Sequence, residues 1–91
     1  MAIAITFTPK SMTAAQFDEV HRKLAAAGAA TPAGRTYHLC FGSDNRMRVL
    51  DVWETLEQFQ KFGETLMPIL TQMGIDPGAP DIQPLYHVRN G

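Results

Sequence analysis

Residues 36–54 read Thr-Tyr-His-Leu-Cys-Phe-Gly-Ser-Asp-Asn-Arg-Met-Arg-Val-Leu-Asp-Val-Trp-Glu, and their pattern decides the architecture. Residues 36–41 are a β-rich run, Gly42-Ser43-Asp44-Asn45 is turn chemistry, and residues 46–54 are a second β-rich run. A β-hairpin is expected. Leu39-Cys40-Phe41 and Val49-Leu50-Asp51-Val52-Trp53 are apolar on both faces of their strands. Such a sheet needs cover on both sides, because soluble monomers avoid large exposed apolar faces.

Working outward from the hairpin, residues 2–8 alternate as a strand, with Ile3, Ile5 and Phe7 on one face, and Pro9 ends it. Thr13 and Gln16 form a capping box, followed by Phe17, Val20, Leu24 and Ala27 at helical spacing and a stop at Gly28. Residues 28–35 are loop. On the other side of the hairpin, Thr55 and Gln58 make a second capping box. Phe59, Phe62, Leu66, Ile69 and Met73 then mark an amphipathic helix that ends at Gly74. Pro68 lies inside it and removes the hydrogen bond to the Glu64 carbonyl, which predicts a kink. Residues 75–81 are loop, and residues 82–88 are a last strand whose beginning Pro84 weakens.

The order is β-α-β-β-α-β. Right-handed crossovers place such a chain as an α+β ferredoxin-like plait, a four-stranded antiparallel sheet with both helices on one face. Residues 1–91 are expected to form one domain. Two helices cover only one sheet face, so a homodimer joined through the sheet faces is expected.

Composition narrows the function. Eight Lys+Arg stand against nine Asp+Glu, a formal net charge of −1, which offers no surplus for phosphate neutralisation, so no nucleic-acid partner is expected. Cys40 is the single cysteine, which excludes an internal disulfide and a multi-cysteine zinc site. No apolar stretch approaches the ~20 residues of a membrane span, and the first residues do not resemble a signal peptide. The expectations are no membrane partner and a cytoplasmic location.

His38 and Asp51 are the candidate catalytic residues. An even number of loop residues in the hairpin, two or four, puts His38, Cys40, Val49, Asp51 and Trp53 on one face; an odd number separates His38 from Asp51. On one face, the carboxylate would hold the imidazole in one tautomer, as a general base requires. Trp53 would add an apolar wall, which suits proton abstraction from an activated, aromatic or enol-like substrate. The same pair can equally be structural. Tyr37, Tyr86 and His87 are candidate substrate contacts or interface residues, the tyrosines as hydrogen-bond donors. His21 flanks the apolar stripe of the first helix and reads as solvated. No His-x-His or His-x-x-x-His spacing supports a metal, Cys40 reads as a small buried hydrophobe, and no cofactor is expected.

The run Val49-Leu50-Asp51-Val52-Trp53-Glu54-Thr55-Leu56-Glu57-Gln58-Phe59-Gln60-Lys61-Phe62 resembles the antibiotic-biosynthesis monooxygenase superfamily. Its signature is an apolar strand ending in Trp, then a charged residue, Ser or Thr, a residue, Glu, and spaced aromatics. His38, Pro68 and the closing Tyr86-His87-Val88 extend the likeness to a small bacterial branch. The resemblance implies a dimeric α+β barrel and a small apolar or aromatic metabolite, bound or oxidised between sheet and helices. The alternative on the same scaffold is a non-catalytic dimeric ligand-binding or regulatory module. Haem-degrading members carry an axial His on the second helix and an Asn on the first strand. Residues 55–73 contain no His, and Thr6 or Thr8 stands where the Asn is needed, so haem chemistry is not implied.

Overall fold

The computed structural model describes residues 1–89 and 91. Its elements are β1 (Ile3–Phe7), α1 (Ala14–Ala26), β2 (Arg35–Phe41), β3 (Arg48–Trp53), α2 (Leu56–Gln72) and β4 (Asp81–Pro84). The strands form one antiparallel sheet in the order β2-β3-β1-β4. This is the ferredoxin-like plait expected from the element order. The core lies between sheet and helices. Ile5, Phe7 and Trp53 from the strands meet Val20 and Leu24 of α1 and Phe62 and Leu70 of α2.

Local chemistry explains the helix ends. Thr13 Oγ1 accepts from Gln16 N–H at 3.1 Å, and Gln16 Oε1 accepts from Thr13 N–H at 2.9 Å. Two donors that the first turn leaves free are thus satisfied. At α2, Thr55 Oγ1 accepts from Gln58 N–H at 3.1 Å. The Gln58 side chain accepts from the Thr55 hydroxyl at 3.0 Å and not from the Thr55 backbone, so this cap is not the reciprocal box expected. Helix α2 continues through Pro68.

Two strand boundaries differ from expectation. β3 starts at Arg48 rather than Arg46 because the preceding residues bond elsewhere. Met12 N–H donates to the Asn45 carbonyl at 2.9 Å, and Met47 N–H donates to the Met12 carbonyl at 3.1 Å. β4 is Asp81–Pro84, not residues 82–88. Its ladder closes where β1 begins, at Ile3 opposite Pro84, so the irregular part follows Pro84 instead of preceding it. Tyr86 and His87 therefore lie outside the sheet.

Pairing sorts the sheet into two faces, since cross-strand partners share a side. Ile5, Val49, Asp51, Trp53 and His38 point toward the helices. Tyr37, Leu39, Phe41, Leu50, Val52 and Ala4 point away.

Candidate functional site

The β2–β3 register decides the site. The last pair is Phe41 with Arg48, leaving six residues in the loop, Gly42 to Met47. Six is even, so His38 and Asp51 share the helix-facing side and are directly opposed. His38 Nδ1 donates to Asp51 Oδ1. Asp51 is the one buried charged residue among those described, and burial of a carboxylate requires such a partner.

The other ring nitrogen of His38 is also engaged. His38 Nε2 lies 3.1 Å from His21 Nε2, and His21 Nδ1 lies 3.1 Å from the Phe17 carbonyl oxygen, one turn back on α1. The Phe17 ring covers both imidazoles, with centroids 4.1 Å from His21 and 5.9 Å from His38. Burial pushes the His21 imidazole below its ordinary value. The Phe17 carbonyl opposes that shift, as does the Asp51 carboxylate more weakly, while His38 when protonated and the Arg35 guanidinium add to it.

His21 is thus not the solvated side chain that the sequence reading expects; α1 turns it into the site. The signal was present. Phe17, Val20, His21 and Leu24 stand at i, i+3, i+4 and i+7, the spacing of a core-facing stripe.

These groups form the polar end of a cavity of about 60 Å³ between the sheet and both helices. Phe7, Phe17, Val20, Phe62, Leu66 and Leu70 supply its apolar walls, and Arg35, His21, His38 and Asp51 its charged and polar edge. The Arg35 guanidinium sits 5.7 Å from the Phe62 ring centre and donates to the Ala30 carbonyl at 3.2 Å. The cavity has room for about two water molecules.

The remaining sequence candidates do not line this cavity. Trp53 is fully buried against Phe59 and Phe62, at ring-centre distances of 5.8 and 5.3 Å, and its Nε1 has no hydrogen-bond partner among the described residues. Tyr37 is on the opposite sheet face. Tyr86 and His87 are exposed, beyond β4. Burial, with the Asp18 carboxylate adding to it, pushes the Cys40 thiol up, the opposite of thiolate activation. Among the described residues no cluster of three His, Cys, Asp or Glu side chains could hold a metal, and no helix is long and apolar enough to cross a membrane.

No family model matches the sequence, and no curated protein matches it; the likeness to known proteins is structural. A Caulobacter crescentus protein provisionally described as an antibiotic biosynthesis monooxygenase shares 25% identity at a TM-score of 0.65, over 97% of this chain and 91% of that one. SnoaB, a cofactor-independent oxygenase from Streptomyces nogalater, shares 17% identity in a mutant form at a TM-score of 0.70, over 96% and 95%. A Chloroflexus aurantiacus protein with the same provisional description shares 10% identity at a TM-score of 0.69, over 99% and 98%. The chain has the fold of the antibiotic biosynthesis monooxygenases along nearly its whole length.

Proposed function

We propose that this protein is a small oxygenase of the antibiotic-biosynthesis monooxygenase type. In this reading a small apolar or aromatic metabolite enters between sheet and helices, and His38 acts as the base. The observation that carries the reading is the His38–Asp51 pair at the polar end of an otherwise apolar cavity. Asp51 accepts from Nδ1 and so leaves Nε2 as the nitrogen that can take a proton, the arrangement a general base needs. His38 removes a proton from an activated CH₂, and the electron pair left on carbon is taken up by dioxygen. The net change is CH₂ + O₂ → C=O + H₂O, which needs no further oxidant. The cofactor-independent oxygenase among the structural neighbours supports this chemistry.

Trp53 takes a packing role here, and Tyr37, Tyr86 and His87 belong to surfaces outside the cavity. The open sheet face, with Tyr37 and Phe41 exposed and Leu39 and Leu50 half-buried, supports a homodimer joined through that face. A cytoplasmic location accords with the absence of a candidate membrane-crossing helix among the described residues.

One observation favours the alternative, a non-catalytic binding module. Both ring nitrogens of His38 are bonded within the protein, and 60 Å³ is well below the ~300–1,000 Å³ of ordinary ligand pockets. Oxygen uptake separates the two readings. Purified protein without added cofactor is supplied with aromatic hydroxy compounds that carry an activated CH₂. Uptake that disappears in His38→Gln supports the oxygenase. Saturable binding of the same compounds without uptake supports the module.

A further inference from the structure

The contact between the two imidazoles has a fixed proton count. A carbonyl oxygen only accepts, so His21 Nδ1 must carry hydrogen to bond Phe17. Asp51 lies buried beside a ring nitrogen, and as a carboxylate it also only accepts, so His38 Nδ1 carries hydrogen as well. Both acceptors therefore hold their rings in the Nδ1–H form, and both Nε2 atoms converge, 3.1 Å apart. At that distance two bare lone pairs repel, and so do two N–H groups. Only one hydrogen between them makes a bond. Three hydrogens on four ring nitrogens is one more than two neutral imidazoles carry, and the single positive charge is balanced by Asp51.

We infer that His21 is a positioning residue of the site, and that His21 and His38 work as one base which stores a single proton between their Nε2 atoms. The base is the neutral pair, with both Nε2 atoms bare: when a substrate X–H bond breaks, the proton bonds to His38 Nε2 and the electron pair stays on the substrate. His21 Nε2 then accepts from the new N–H. Proton uptake creates a hydrogen bond between the two rings that neither ring makes alone.

The titratable and charged groups facing His21 are His38 and Arg35 of β2 and Asp51 of β3; α2 brings Phe62, Leu66 and Leu70 to the cavity. Arg35 opposes a second positive charge, which disfavours both a second proton and a bound cation.

The shared proton follows from the geometry, while its use on a substrate rests on the oxygenase reading. Long-range ¹H–¹⁵N spectra of the histidine rings test the first without any substrate. Both rings should show Nδ1–H, and the pair should titrate in two steps more than about one pH unit apart, as coupled sites do. His21→Gln should leave His38 with a single step. Independent titration of the two rings, or a His21 ring protonated only at Nε2, overturns the proposal, and the wild-type spectra alone suffice to show either. Zinc chloride is added in parallel. Tight uptake of one ion per subunit, abolished by His21→Gln and by His38→Gln, would make the pair a metal site and overturn the shared proton. A wild type without oxygen uptake but with coupled titration would overturn the oxygenase reading and leave the shared proton standing.

Discussion

His38 and Asp51 face each other directly across β2 and β3, and His38 Nδ1 donates to the buried Asp51 carboxylate. Neighbouring strands bring directly opposed Cβ atoms to ~4.5–5.5 Å, and that spacing suits an imidazole and a short carboxylate. The pair binds the sheet edge to its centre, because β2 is an outer strand and β3 an inner one. It also turns His38 Nε2 toward His21 on α1. One ion pair thereby links hairpin, helix and cavity.

Asp51→Asn tests that link. Asn keeps the shape and can still accept from Nδ1–H, but it removes the negative charge that balances the imidazole pair. A hydrogen bond to a charged group contributes about 1.5–3 kcal/mol. The neutral bond that remains contributes about 0.5–1.5 kcal/mol, so a loss of about 1 kcal/mol in urea unfolding is expected, with the midpoint lowered and the slope unchanged. An unaltered midpoint would mean that Asp51 carries no charge in the folded protein.

Stability should also fall on mild acidification, and His21 sets the sign. Burial lowers its affinity for a proton in the folded chain, from the ordinary value of 6.5. Below that value the unfolded chain binds a proton that the folded chain does not, so stability rises with pH. The contribution is present above about pH 6.5. It is lost progressively as pH falls from there through the lowered folded-state value. Unfolding curves between pH 8 and pH 5 should show this slope, and His21→Gln should flatten it. A slope of equal size in that variant would assign the effect to other groups.

The plait is legible in the sequence because its punctuation is local. Thr13 with Gln16, Gly28, Thr55 and Gly74 each act through bonds within one turn of chain, and alternation in residues 2–8 is a property of the strand itself. The site is less legible because it depends on contacts between distant segments. The parity that puts His38 beside Asp51 is set where Met12 draws residues 45–47 out of the hairpin ladder, thirty-odd residues away. His21 was hidden by its chemistry rather than its position. It occupies a core-facing place in α1, but an imidazole is expected in water unless a partner is known, and that partner sits on β2. Trp53 misleads for the reverse reason. Its motif suggests a cavity wall, whereas α2 brings Phe59 and Phe62 against it and closes it off.

Two substitutions at Trp53 should separate volume from polarity. Trp53→Ala removes a fully buried indole and should cost ~3–5 kcal/mol, a large share of the ~5–15 kcal/mol that stabilises a domain. Trp53→Phe leaves an aromatic ring in an aromatic cluster and sacrifices no hydrogen bond, since Nε1 has no partner among the described residues. It should cost less than half as much and remain soluble. Equal losses in thermal melts of the two variants would show that the indole N–H is bonded in solution.

The open sheet face gives the last prediction. Tyr37, Leu39 and Phe41 of β2 lie beside Leu50 and Val52 of β3 on the side away from both helices. Val52 is buried yet stands outside the core cluster, so its neighbours on the open face form a second apolar layer. Sheet faces pack ~10 Å apart with interdigitating side chains, and a second copy of the same face would cover this layer without any new element. Leu39→Glu and Leu50→Glu each place a carboxylate in the middle of that layer. In the homodimer both copies would be buried near each other and unpaired, which the dimer cannot tolerate. In a monomer each carboxylate would point into water. Sedimentation should therefore give a dimer for the parent protein and monomers for both variants, with the helix-side core of each intact by circular dichroism. A parent protein that sediments at 10.1 kDa at micromolar concentration would show that the open face stands in water alone.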